Sequence, residues 1–443
     1  MNIVNHTPFP AQAFAAVDQH GQQFHVFVLR QTLSFASGQL EYADKQLPLC
    51  EADSYFGEGA RGGVRQESDY CPYKPKCDVI VNATAHAPKG KAVLDFPVRL
   101  RVWRPGAPKS EFLIDKTLTI SGARQFKKKA AVLRLLNWVV KCCTLTLIRL
   151  NPWKLGRAQA FTSLPVRHES SYGGQCRINN GDAAARRLAT AQRLTPAQLA
   201  GHPDVALAAP QQPAAHAVFE PNPAGLGYAP GWYLKATGLK AVAAPCIERL
   251  GAACTAKQFW HLQQSSKQED AAPESAGFGI RGKSHPARRA LLGAVDDAFV
   301  QSDAALPSNF DFGIWNAAPA DQQIDFPRGD EVFELVNLCR PDTPGASVNQ
   351  SGNAFLQLRL LEHECFLLVR LQSGDMFMKV LEIDTVIVEP DELSMTLVWR
   401  TSLAKVDDVV IRASEFRMRT IEEGTALRAR AKEFAELSKE ATE

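Results

Sequence analysis

Phe96-Pro97-Val98-Arg99-Leu100-Arg101-Val102-Trp103 sets the fold class. Successive side chains of an extended chain point to opposite faces, so Phe96, Val98, Leu100 and Val102 share one face while Pro97, Arg99, Arg101 and Trp103 share the other. The segment reads as a strand with one side on a core. Just downstream, Phe112-Leu113-Ile114-Asp115-Lys116-Thr117-Leu118-Thr119-Ile120 runs into Ser121-Gly122 and reads as its neighbour. Upstream, Phe14-Ala15-Ala16-Val17 and Phe24 to Leu29 flank Asp18-Gln19-His20-Gly21, a hairpin loop, and Cys77 to Ala83 is a further strand. These segments together predict an antiparallel meander over the first 120 residues.

The same signal returns near the other end. Phe366 to Leu371 and Met376 to Val380 flank Ser373-Gly374-Asp375, and Thr385 to Val388 pairs with Leu393 to Trp399 across Glu389-Pro390-Asp391-Glu392, giving two successive hairpins. Residues 1–180 are read as an N-terminal antiparallel β region. Residues 181–220 are an Ala/Pro-rich insertion or linker, with a helical patch near Ala183 to Leu199. Residues 221–400 are loop-rich and then form β-hairpins, with Trp232, Tyr233, Phe278, Phe310, Phe312 and Trp315 as aromatic anchors. Residues 401–443 form a helical tail, whose Leu427, Ala431, Phe434 and Ala435 make an apolar stripe among charges. The expected class is mainly β, α+β: antiparallel sheets, sandwich-like, with long ordered loops and a C-terminal helix.

Composition narrows function. Among 443 residues, 50 Lys and Arg against 47 Asp and Glu leave a formal charge of +3, too weak a field to gather nucleic acid, and no finger, RNA-recognition signature or basic heptad is present. Met1-Asn2-Ile3-Val4-Asn5-His6-Thr7-Pro8 lacks a basic start, an apolar stretch and a cleavage site, so the expected location is the cytoplasm. Ala130 to Leu150 is the strongest membrane candidate, but Arg134, Asn137, Lys141 and Arg149 interrupt a stretch that would need about 20 mostly apolar residues. Ten cysteines, at 50, 71, 77, 142, 143, 176, 246, 254, 339 and 365, follow no repeated short spacing and read as reduced, mostly buried thiols.

Candidates for chemistry are few. Cys71 and Cys77 stand too far apart for a zinc knuckle and have no second ligand pair. His363 and Cys365 share a strand face and could supply a base and a thiolate, although strand alternation alone also places a buried His beside a structural Cys. Gly277-Phe278-Gly279-Ile280-Arg281-Gly282-Lys283-Ser284 matches the formal phosphate-loop pattern. A working loop of that kind follows a buried strand and opens a helix; here Gln268-Glu269-Asp270-Ala271-Ala272-Pro273-Glu274-Ser275 precede it and Pro286 follows closely.

Several segments in order resemble the bacterial family known as domain of unknown function 2169, which is encoded beside type VI secretion genes. They are Asp69-Tyr70-Cys71-Pro72-Tyr73-Lys74-Pro75-Lys76-Cys77-Asp78-Val79; Lys116 to Gly122 with Arg124; and Leu164 to Gly174, ending in Gly173-Gly174. Asn222-Pro223-Ala224-Gly225-Leu226-Gly227 follows, with Ala244-Pro245-Cys246-Ile247-Glu248 after it. Then come Gly277-Phe278-Gly279, Phe310-Asp311-Phe312, Trp315 with Asn316-Ala317-Ala318-Pro319-Ala320-Asp321-Gln322, and Gly329-Asp330-Glu331. The order runs through most of residues 1 to 340. It departs from the family at Cys71, Cys77 and Ser171-Tyr172, in the insertion-like stretches at 130–143 and 181–216, and in having no C-terminal pentapeptide repeats.

The resemblance implies a non-enzymatic adaptor or chaperone of a Gram-negative bacterium. Such a protein binds a toxic secreted effector and helps load it onto the secretion spike, through a valine-glycine repeat protein or a PAAR-type tip, with no cofactor. Its motif residues Pro72, Lys74, Pro75, Asp78, Gly173, Gly174, Asn222, Pro223, Gly225, Gly227, Trp315, Asn316, Pro319, Asp321, Gln322, Asp330 and Glu331 would shape loops or touch the client, and their residue types favour loop shaping. The alternatives are a hydrolase, either nucleotide-dependent through Lys283 and Ser284 or thiol-dependent through Cys365 and His363, and a β-rich ligand-binding module.

Overall fold

A computed structural model of the chain describes residues 1–57, 63–108, 111–129, 139, 151–264, 272–407 and 409–440, the last ten of these by backbone alone. Strand accounts for 37% and helix for 16% of the described residues, which places the chain in the mainly β, α+β class. The strand quoted first, Asp95–Trp103, buries Phe96, Val98, Leu100 and Val102 and leaves the alternate residues half-buried or exposed. It pairs antiparallel with Ile114–Ser121 from Val102 opposite Ile114 to Asp95 opposite Ser121. These two strands lie within a six-stranded sheet: Ile247–Arg249, Ile114–Ser121, Asp95–Trp103, Val332–Val336, Ala354–Arg359, Ala346–Val348.

The predicted meander does not form. Cys77–Val81 leaves the hairpin and pairs in parallel with Glu382–Glu389, inside a seven-stranded sheet. Along that sheet the order is Ala11–Val17, Gln23–Ser34, Ser394–Ala404, Glu382–Glu389, Cys77–Val81 and Gln323–Ile324, with Glu41–Tyr42 beside Gln23–Ser34. Cys77–Val81 is buried at every residue and flanked on both edges. A strand of that kind suits a central slot rather than the rim of a meander. The third sheet has four strands, Asn2–Asn5, Ile411–Thr420, His363–Leu371 and Met376–Val380, and its first pair is parallel. Both C-terminal hairpins form as read.

One contiguous core joins all three sheets, with Phe27 and Leu29 from the seven-stranded sheet, Leu100 and Phe333 from the six-stranded one, and Leu367 and Phe416 from the four-stranded one. Leu100 is fully buried there, and its truncation to Ala would cost roughly 2–5 kcal/mol. Satellite cores hold the loop-rich segments. In one, Phe126 stacks on Phe259 with centroids 4.1 Å apart and Trp153 meets the same ring edge-on.

In the 181–220 stretch the expected helical patch is broken into two 3-10 turns, Ala183–Arg187 and Thr190–Gln192, and the helix Pro196–Ala200. The break before Pro196 has a local cause: a residue before proline is pushed to extended geometry, and Thr195 has ψ 159. Its hydroxyl then caps the new helix by accepting from Gln198 N. The helical tail expected over residues 401–443 is confined to Ile421–Glu440; before it Ile411–Thr420 is a strand between Asn2–Asn5 and His363–Leu371, where Glu415, Arg417 and Arg419 alternate with Phe416 and Met418 in a period of two.

Cys142, Cys143 and all of Ala130–Leu150 except Val139 lie outside the described residues. The other eight cysteines are free thiols, buried except for Cys50. Among the described residues no helix is long and apolar enough to cross a membrane.

Candidate functional site

Strand alternation at Cys77–Val81 sends Cys77, Val79 and Val81 into the main core and Asp78 and Ile80 to the opposite face of the sheet. A fully buried carboxylate there needs donors, and it has them. Asp78 accepts from Lys74 Nζ (2.8 Å), Asn316 Nδ2 (3.1 Å), Ala317 N (2.9 Å) and Ala318 N (3.1 Å). Lys74 also donates to Thr385 Oγ1 at 2.7 Å. Burial works to strip the lysine of its charge, but Asp78 and Asp384 outweigh it and hold Lys74 above the ordinary lysine range. Asn316 spends a second donation on Lys76 O (2.7 Å), so the segment after Trp315 is fastened along the Pro72–Asp78 turn.

Gln322 makes a second knot. Its Nε2 donates to Val79 O (2.7 Å) and Phe278 O (2.9 Å), and its Oε1 accepts from Lys116 Nζ (2.7 Å). Lys116 reaches Asp321 Oδ1 as well, at 2.9 Å, and burial still draws its pKa down to about 8. Burial pushes the Asp321 carboxyl up, but Lys116 and Arg249 bring it below its usual range. Pro319, buried, opens the turn that carries Asp321 and Gln322.

A third knot joins motifs distant in sequence. Tyr172–Gly173 pairs in parallel with Leu226–Gly227. Asn222 Nδ2 donates to His168 O (2.7 Å), Ser171 Oγ (3.1 Å) and Tyr172 O (3.0 Å). The glycines follow from that contact: a Cβ on Gly173 would fall 2.2 Å from Asn222 O, and one on Gly225 would fall 2.7 Å from Gly173 Cα. Gly174 and Gly227 take φ +124 and +99, which side chains rarely adopt.

The third knot walls a cleft of about 990 Å³, a volume at the upper end for a ligand-binding site. Asn222, Pro223 and Ala224 form one side, and Ile280 to His285 another. Pro223 and Ala224 are exposed to it. Its charges are mixed. Lys283 Nζ pairs with Asp53 Oδ2 at 2.8 Å, Arg177 pairs with Asp204, and Arg281 pairs with Glu274 next to the cleft-lining Ser275. His168 lies at the base, donating Nε2–H to Gly279 O at 3.3 Å, and desolvation holds it neutral with a pKa of about 4. Gly277 lies so close to that ring that a Cβ would fall 2.8 Å from His168 Cε1.

The remaining family-motif residues sit elsewhere. Pro75 is exposed at the turn entering the Cys77 strand, and Pro72 borders a small cavity of about 160 Å³ with Lys74 and Arg400. Trp315 lies under Lys283 Nζ, 6.0 Å from the ring centroid, and does not line the cleft. Asp330 and Glu331 do not line the cleft. Glu331, fully buried, accepts from Arg328 N (2.8 Å) and Gly329 N (3.0 Å) and faces Arg104 at 3.4 Å, while burial raises the Asp330 carboxyl. Trp232 and Tyr233, read as anchors, pack edge-on together against the satellite cores.

The chemical candidates have plain surroundings. Lys283 is engaged by Asp53, residues 272–285 form no strand, and the helix after them, Pro286–Arg289, is one turn long; residues 268–271 lie outside the described set. His363 bonds Gln31 at 3.0 Å rather than a thiol, and burial lowers it to about 4 while raising Cys365. Both groups are thus neutral near pH 7. Among the described residues no group of three or more His, Cys, Asp or Glu is placed to hold a metal ion.

Sequence reading missed His168, Arg177, Lys116 and the buried pairs Arg400–Asp384, Arg30–Asp69 and Arg288–Glu67. For Lys116 the signal existed: it occupies the inward register of Ile114, Leu118 and Ile120.

A family model described as an uncharacterized protein conserved in bacteria (DUF2169) matches residues 20–400. No curated protein and no solved structure matches the chain.

Proposed function

Because this chain belongs to the DUF2169 family of bacterial proteins, we propose that it is a cytoplasmic, non-catalytic adaptor of a Gram-negative bacterium that holds a type VI secretion effector and aids its loading onto the spike. The observation that carries the reading is the convergence of His168, Asn222, Pro223 and the Ile280–His285 loop, drawn from separate parts of the sequence, on the walls of the cleft of about 990 Å³. Asn222 and the glycines opposite it fix the backbone shape of one wall, while Pro223, Ala224 and Lys283 present that wall and its rim to whatever enters. A cleft with a rigid wall and a charged rim suits reversible capture of an extended polypeptide segment, since little ordering entropy is left to lose on the adaptor's side. Paired rim charges contribute more to selecting the partner than to affinity.

The test is co-purification of the tagged chain with the products of neighbouring effector and spike-protein genes, followed by size exclusion. A co-eluting complex is expected. Ala224→Trp, which fills the cleft from an exposed position, is expected to weaken it at least ten-fold with an unchanged melting temperature. If every candidate elutes separately, or if Ala224→Trp binds as tightly as the parent, the reading fails.

A further inference from the structure

Among the described residues the four-stranded sheet ends at Met376–Val380, which pairs with His363–Leu371 and with no other strand. Register fixes which backbone groups are free. Leu371 N donates to Asp375 O and Leu381 N to Cys365 O, each at 2.9 Å. Phe377 opposite Val369 and Lys379 opposite Leu367 fall in phase with those bonds. By antiparallel alternation Met376, Met378 and Val380 therefore turn their N–H and C=O groups to the open edge. The strand is apolar as well as unpaired: Met376 is 56% exposed, and Phe377 and Met378 are each 41% exposed. Arg370 and Arg419 reach the sulfurs of Met376 and Met378, placing both side chains on the outer face of the sheet. No proline or bulge blunts this edge, although natural edges are commonly blunted.

We propose that the edge is closed by a second copy of this chain, pairing antiparallel about a two-fold axis through Met378. In that register Met378 faces the partner's Met378 and Met376 faces the partner's Val380 on the outer face. On the inner face Phe377 meets the partner's Lys379, a cation over an aromatic ring. Each pair of free residues exchanges two backbone bonds, about six in all, and no like charges oppose one another. Displacing the partner by two residues toward the C-terminus would set Lys379 against the partner's Lys379 and Met376 against Glu382, and displacing it by two toward the N-terminus would run Val380 into the Gly374 turn. A slip of one residue would turn the free groups away from each other. The self-complementary register selects a second copy over an unrelated strand, as an isologous interface requires. The interface is small, so the dimer forms in the micromolar range. This inference does not rest on the cleft or on effector binding, and its failure leaves that reading untouched.

The experiment is sedimentation velocity of the full chain from about 1 to 200 μM, with Met378→Lys and Met378→Cys alongside. A concentration-dependent dimer is expected. Met378→Lys sets two cations against each other at the axis and is expected to weaken the dimer at least ten-fold, with circular dichroism and melting temperature unchanged at this exposed site. Paired residues of this kind stand about 5.5 Å apart at Cα, within disulfide range, so Met378→Cys is expected to cross-link on mild oxidation while the parent chain does not. A monomer at 200 μM overturns the proposal. So does a dimer that ignores Met378→Lys and fails to cross-link at 378, or a monomer whose Met378→Lys variant loses effector binding, which would assign the edge to a different protein.

Discussion

Replacing Asp78 with alanine tests whether the knot beneath the family motifs is structural. The carboxylate is fully buried and serves Lys74, Asn316 and the amides of Ala317 and Ala318. Removing one member of a buried ion pair costs roughly 3–5 kcal/mol because the other charge is left unpaired. The two amides lose their acceptor at the same time, each worth about 1 kcal/mol or more if it stays dry. Water entering the space left behind recovers part of this, so the expected loss is about 4 kcal/mol. For a chain of 443 residues that corresponds to a fall of roughly 4–8 °C in melting temperature. Asp78→Asn keeps the volume and one acceptor and is expected to lose about half as much. The control is Lys283→Ala, whose pair with Asp53 is 44% exposed on the lysine side and is worth about 0–1 kcal/mol. Thermal unfolding followed by circular dichroism compares the three variants. If Asp78→Ala melts within about 1 °C of Lys283→Ala, the knot contributes nothing and the argument from buried partners is wrong.

The glycine contact and the buried histidine give further expectations. Gly173→Ala forces a Cβ into Asn222 O, and because the obstacle is backbone it is expected to destabilise by about 3 kcal/mol or more and to distort the cleft wall, read by melting temperature and by loss of effector co-elution. His363 stays neutral in the fold because burial lowers its pKa to about 4, so the unfolded chain takes up the proton more readily. Its stabilising contribution is complete above about pH 6.5 and is lost as pH falls toward 4, the loss amounting to about 2–3 kcal/mol by pH 4.5. The melting-temperature gap between the parent chain and His363→Gln should therefore narrow steadily from pH 7 to 4.5, and a gap independent of pH would contradict a neutral buried imidazole.

Where a side chain's face is set by period two, the sequence was readable: the alternation of Phe96 to Val102 gave a strand and its buried side, and the Met376 and Leu393 hairpins were marked by their turns. Partnership was not. Cys77–Val81 pairs with residues some 300 positions away, and Asn2–Asn5 with the strand Ile411–Thr420. A local pattern reports which face is buried, but it carries no term for the strand that will lie alongside, and parallel pairs have no connecting turn to betray them. The helical patch after Gly181 was over-read for the opposite reason. Alanine propensity is a weak preference, and the extended geometry imposed before Pro196 overrode it.

The motif residues followed the same logic one level up. Loop shaping was the favoured sequence reading for the glycines and Asn222, and residue type alone supports it. What no residue type disclosed is that Gly173 and Asn222 fit against each other, so that each is intelligible only through the other. Lys116 shows where a sharper reading was available. It stands at an inward position of a period-two strand, and a buried lysine requires a carboxylate or an amide oxygen. Asp321 and Gln322 are two such acceptors in the downstream motif, and they are the groups it meets. A charge in the wrong register of a strand is thus a contact waiting for a partner, and the acidic or amide residues of the other motifs are the first places to look for it.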